Sequence, residues 1–111
     1  MRDPQAAVAE LERTVGDHGF VGALINGHVD GRYLDDQFFW PVFEAAEGLG
    51  VPIYLHPTVP PQPVIETYYQ GFAPAVSGKL AIAGLGWHID TGIHGIRMIW
   101  AAYSTGSPRC C

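Results

Sequence analysis

The sequence predicts an α/β fold with parallel strands, on three observations. Two short apolar runs without polar alternation, Phe20 to Asn26 and Val51 to Pro57, have the length and texture of strands buried on both faces of a parallel sheet. Each is preceded by a stretch whose apolar residues recur at helical spacing. The connection between the runs is too long for a hairpin and suits a crossover helix, so the order helix, strand, helix, strand fits an open sheet or a barrel.

Asp3 before Pro4 is a helix start, the carboxylate capping free amides and the ring taking a first-turn position where no N–H is needed. Ala7, Val8, Leu11 and Val15 then make an apolar stripe, and Gly16 is the expected stop. The run from Phe20 closes on Asn26, whose amide can either bond a substrate oxygen at a strand end or simply turn the chain before Gly27. Gly31 to Asp36 reads as a polar loop, with Asp35 or Asp36 free to cap the next helix. In that helix Phe39, Val42, Phe43 and Ala46 share a face, with Trp40 and Pro41 near its first turn and Gly48 or Gly50 at its end. The strand from Val51 closes on His56, an imidazole aimed at the face where parallel α/β folds place ligands and metals, or else a cap bonded to a neighbouring loop. The prolines at 57, 60, 61 and 63 predict a long loop through Tyr68, Tyr69 and Phe72 toward Gly78.

A further helix is expected from about Leu85 to Tyr103, with Ile89, Ile93, Ile96, Trp100 and Tyr103 on one stripe. Asp90, His94 and Arg97 lie on another, at a spacing that lets the aspartate hold the imidazole and guanidinium together. Read from spacing alone, this is a structural network of the kind common on exposed helix faces.

Composition excludes several classes of function. With 111 residues there is room for one small domain, and a net charge of −5 with six basic residues argues against nucleic acid or an acidic lipid surface as partner. No apolar run is long enough to span a bilayer and the start lacks the build of a secretory signal, so a cytoplasmic location is expected. Cys110 and Cys111 are adjacent and have no metal-ligand spacing.

Four stretches together resemble the amidohydrolase-related family that includes γ-resorcylate, dihydroxybenzoate and aminocarboxymuconate-semialdehyde decarboxylases. They are Val21 to Gly27, Gly31 to Asp36 with Phe39-Trp40-Pro41, Val51 to Pro57, and Trp87 with Thr91 to Arg97. The resemblance implies that residues 1–102 are part of a (β/α)₈ barrel, about three βα units of it. It also implies one divalent metal, zinc or manganese, and non-oxidative decarboxylation of an aromatic or enolic acid. On the same basis His56 matches a metal-binding histidine and Asn26 a substrate-pocket asparagine. His94 and Arg97 match a helix signature that supports the pocket, with Asp90 where the family usually has glutamate. A small carboxylic acid is the implied partner, and the family pattern admits a homo-oligomer for the full-length chain.

The family's amino-terminal strand with paired ligands, its later catalytic histidine and its late aspartate ligand have no counterpart in these residues, so the section is expected to be inactive alone. The tail from Tyr103 to Cys111 also departs from relatives, which continue with something like Gly-Val-Phe-Asp-Arg-Phe-Pro. A codon string for this tail reads Val-Phe-Asp-Arg-Phe-Pro when shifted by one base, so a frameshifted, truncated product is expected. Two other readings compete: a metal-dependent hydrolase of the same superfamily, separated by its ring-opened product, and a non-catalytic α/β module, separated by a cooperative melt as a soluble monomer.

Overall fold

The computed structural model describes the backbone of residues 1–105 and side chains through Ala102. Helix α1 (Pro4–His18) leads to strand β1 (Ala23–Asn26), a 3₁₀ turn (Gln37–Phe39), helix α2 (Trp40–Leu49) and strand β2 (Ile53–His56). Two short helices, α3 (Gln62–Tyr68) and α4 (Pro74–Lys79), then lead through a kinked turn (Leu80–Gly84) to the long helix α5 (Gly86–Thr105). Residues 106–111 of the tail, on which the frameshift reading bears, lie outside the described residues.

The ends of the elements follow from their residues. Asp3 accepts from the amides of Gln5 and Ala6 at 3.0 and 3.1 Å, which starts α1 as expected. The helix does not stop at Gly16 but runs to His18, because Gly19 is the residue that takes the left-handed conformation (φ 67°) and closes the last turn. Gly50 does the same for α2, and Asp36 caps the 3₁₀ turn through the Phe38 amide at 2.9 Å. The loop expected after His56 is instead partly helical. Prolines stand in the first turns of α3 and α4, where they start a helix rather than break it.

The strands pair in parallel, Ala23 to Asn26 against Ile53 to His56, residue for residue. Alternation sends Ile25 and Leu55 to the face covered by α1 and α2, where Ile25, Leu34, Phe39 and Val42 form the core with Val8, Phe43, Ile53 and Met98 against it. The opposite face is bare. Leu24 and Tyr54, paired across it, are 59% and 65% exposed, so the strands are covered on one face and not on both. The free edge of β1 opens on an apolar groove of about 540 Å³ walled by Leu11, Phe20, Gly22, Leu24 and Val42.

Helix α5 reverses the usual arrangement. Asp90 and His94 are buried, whereas Ile89, Ile93, Ile96 and Trp100 are exposed. Asp90 and His94 of the polar stripe expected on an exposed face therefore point inward, Arg97 stays at the surface, and the apolar stripe faces out. The radius of gyration is 15.8 Å, against about 13 Å for a compact domain of this length, which matches a slab with uncovered apolar faces. Ile96→Glu is accordingly expected to shift stability by less than about 0.5 kcal/mol, read as the urea midpoint, because that side chain has little burial to lose.

Candidate functional site

Asn26 and His56 are the last residues of neighbouring parallel strands and are paired in register. By alternation both lie on the uncovered face with Leu24 and Tyr54, at the carboxyl ends of the strands. Just beyond them the Gly27 amide bonds the His56 carbonyl at 3.1 Å, which holds the two strand ends together. Asn26 borders an open groove of about 410 Å³ shared with Leu24, His28 and Asp30.

The imidazole of His56 is half-buried, and its Nδ1 lies 2.7 Å from the Pro57 carbonyl oxygen. A carbonyl can only accept, so Nδ1 carries a proton and, in the neutral ring, Nε2 keeps its lone pair. That tautomer is the one a metal-binding histidine needs, with the carbonyl fixing the ring from behind. It is one donor. Among the described residues no group of three His, Cys, Asp or Glu side chains can hold a metal ion, so these residues do not form a metal site by themselves.

The loop after β1 is organised by residues that sequence reasoning passed over. Asp30 and Gly31 both adopt positive φ (51° and 81°) between Val29 and Arg32, which exchange backbone bonds at 2.9 and 3.0 Å. This is the Asp-Gly hairpin turn, a signal present in the sequence but read as a plain polar loop. His28 bridges inward, its Nε2 donating to the Val59 carbonyl at 3.0 Å while Nδ1 accepts from the Gly31 amide at 3.0 Å.

Three consecutive residues, Tyr33, Leu34 and Asp35, then meet three on α5. The Tyr33 hydroxyl donates to Asp90 at 2.5 Å. The Leu34 amide donates to His94 Nε2 at 2.9 Å. Arg97 forks onto both oxygens of Asp35 at 2.9 and 2.8 Å. The Asp90, His94 and Arg97 stripe is therefore not held together by its own aspartate. Each member reaches across to the loop, because the loop offers a hydroxyl, an amide and a carboxylate in succession. The rings tighten the clasp: Tyr33 meets His94 edge-on at 4.9 Å, and the Arg97 guanidinium lies 4.8 Å from the Tyr33 ring centre.

Burial and charge tune these groups. Burial, then the bond to Asp90, pushes the Tyr33 phenol well above its ordinary range, so it is a donor throughout. Burial holds His94 below the usual imidazole value against the pull of Asp90 and Asp35. Its Nδ1 has no hydrogen-bond partner and lies near Gly27, at whose position a side-chain carbon would collide with Thr58. Thr58 belongs to the loop after β2. Gly27 is thus the close approach that lets the two strand-end loops and α5 converge.

Comparison with known proteins places this geometry in a family. Residues 1–105 match the amidohydrolase family. The chain is 40% identical over 107 residues to the decarboxylase orsB of Emericella nidulans, covering 96% of this chain and 32% of that protein. It superposes with a TM-score of 0.79 on 2,6-dihydroxybenzoate decarboxylase from Rhizobium, 35% identical, covering 97% of this chain and 33% of that one. It also superposes, at a TM-score of 0.75 and 36% identity, on 5-carboxyvanillate decarboxylase from Novosphingobium aromaticivorans in complex with manganese and 4-hydroxy-3-methoxy-5-nitrobenzoic acid, covering 88% of this chain and 26% of that one. The chain spans about a third of the length of the curated relatives it matches. The two strands and their helices correspond to part of the barrel of those decarboxylases. Among the described residues no helix is long and apolar enough to cross a membrane.

Proposed function

This chain belongs to the amidohydrolase family, and on that premise we propose that it forms a section of a metal-dependent barrel enzyme that decarboxylates aromatic acids. The observation that carries the reading is the register pairing of Asn26 with His56 at the carboxyl ends of adjacent parallel strands, on the face left bare. In a closed barrel that face is the interior and those ends form the mouth. His56, with Nε2 unprotonated, is the one metal donor this section contributes, toward zinc or manganese. The manganese held by the Novosphingobium relative supports a divalent ion. Among the described residues no group of three ligating side chains forms around His56, so the contribution proposed for this section is a single donor and the carbonyl that orients it.

Asn26 contributes an amide that can both donate and accept, suited to a substrate carboxylate or phenol oxygen. The clasp between Tyr33, Leu34, Asp35 and α5 supports the pocket by fixing the loop that leaves Asn26. The reading is tested by replacing the matching third of the Rhizobium decarboxylase with residues 1–105 and measuring carbon dioxide release from 2,6-dihydroxybenzoate. The graft is expected to be active, His56→Ala to lose at least about 100-fold, and Asn26→Ala about tenfold through KM. A folded, metal-loaded graft whose activity is indifferent to both substitutions would remove the proposal.

A further inference from the structure

We infer that the bond between the Leu34 amide and His94 is an acid-released latch that fixes the loop after β1 to helix α5. The inference is independent of the function proposed above and stands on the clasp alone. The amide donates to His94 Nε2 at 2.9 Å, so that nitrogen must be unprotonated and the neutral ring carries its hydrogen on Nδ1. The ring is fully buried, and Nδ1 has no acceptor. A second proton would have to enter at Nε2, setting two N–H groups against each other. Rotating the ring offers no escape, since both nitrogens would then be donors. Protonation and the Leu34 bond are therefore mutually exclusive.

The surrounding charges do not rescue the cation. On α5, Asp90 already accepts from Tyr33, and Arg97 is itself a cation. From the loop, Asp35 is occupied by both arms of Arg97, Tyr33 stays a neutral phenol, and His28 adds a further imidazole. Burial lowers the affinity of His94 for a proton, as this geometry requires. The native state therefore binds fewer protons than the opened one below about pH 6.5. The latch is at full strength above that pH and weakens as pH falls toward the lower, folded value. What it releases matters, because Leu34 is almost completely buried with Ile25, Phe39 and Val42, and the loop it anchors begins at Gly27 beside Asn26.

Amide exchange of the whole chain, followed residue by residue by NMR together with the His94 ring signals, tests the latch. The Leu34 protection factor is expected to fall by up to about tenfold per pH unit below about pH 6.5. His94→Gln, whose side-chain oxygen can accept the same bond but takes no proton, is expected to abolish that pH dependence. Leu34 protection that is flat while the His94 ring titrates, or that falls equally in His94→Gln, overturns the inference. Should the glutamine variant not fold, the wild-type data still decide: Leu34 protection must begin to fall near pH 6.5 and be gone once the His94 ring is protonated, and a Leu34 amide still protected beside a protonated ring refutes the latch.

Discussion

His94→Ala is expected to destabilise the chain by about 3 kcal/mol, seen as a lower urea midpoint with an unchanged slope. Two losses add. The Leu34 amide becomes a buried donor without an acceptor, and the space of a fully buried ring is left beside Tyr33 and Gly27. Tyr33 also loses its edge contact, although its bond to Asp90 remains. His94→Gln, which restores the acceptor, should recover about 1 kcal/mol or more of that loss. Equal destabilisation by the two variants would mean that the ring acts only by filling space.

Gly86→Val is expected to cost on the order of 3 kcal/mol or more, because any side-chain carbon at that position runs into the carbonyl of Ala81. The obstacle is backbone and cannot swing aside, so the junction between the Leu80–Gly84 turn and α5 must open. Gly92 supplies the control. It lies in the same helix with open space around it, so Gly92→Ala is expected to stabilise the chain by about 1 kcal/mol through helix propensity. Thermal melts of the two variants should move in opposite directions. If Gly86→Val does not destabilise, the turn and helix α5 do not meet at Gly86 in this way.

The contrast between those glycines shows what could be read from sequence and what could not. The Asp3-Pro4 start, the apolar repeat of α2, the two strands and their parallel order all follow from local rules, and the structure has them. The end of α1 did not follow. Gly16 and Gly19 look alike in sequence, and only the second is needed at positive φ. The prolines after His56 were legible as breakers or as starters, and the chain uses those at 61, 63 and 74 around helix starts.

Helix α5 carries two stripes at helical spacing, and hydrophobicity alone would bury the isoleucines. Asp90 and His94 go inward because their partners, Tyr33 and Leu34, come from 57 and 60 residues away, a distance no local pattern reports. The placing of Asn26 and His56 at strand ends was legible, because strands in parallel α/β folds have a fixed polarity. His28 and Tyr33 were not, since their roles exist only once the loops after β1 and β2 have converged. The exposed isoleucines and the bare sheet face belong to a chain that spans about a third of the Rhizobium decarboxylase.

Locating the metal decides whether the bare face carries a metal donor at a barrel mouth. Crystals of the grafted Rhizobium decarboxylase grown with manganese would give the ion's position from its anomalous scattering. Manganese is expected within bonding distance of His56 Nε2, with Nδ1 still donating to the Pro57 carbonyl. Manganese bound in the barrel with the His56 ring turned away from it, or bonded through Nδ1, would contradict it.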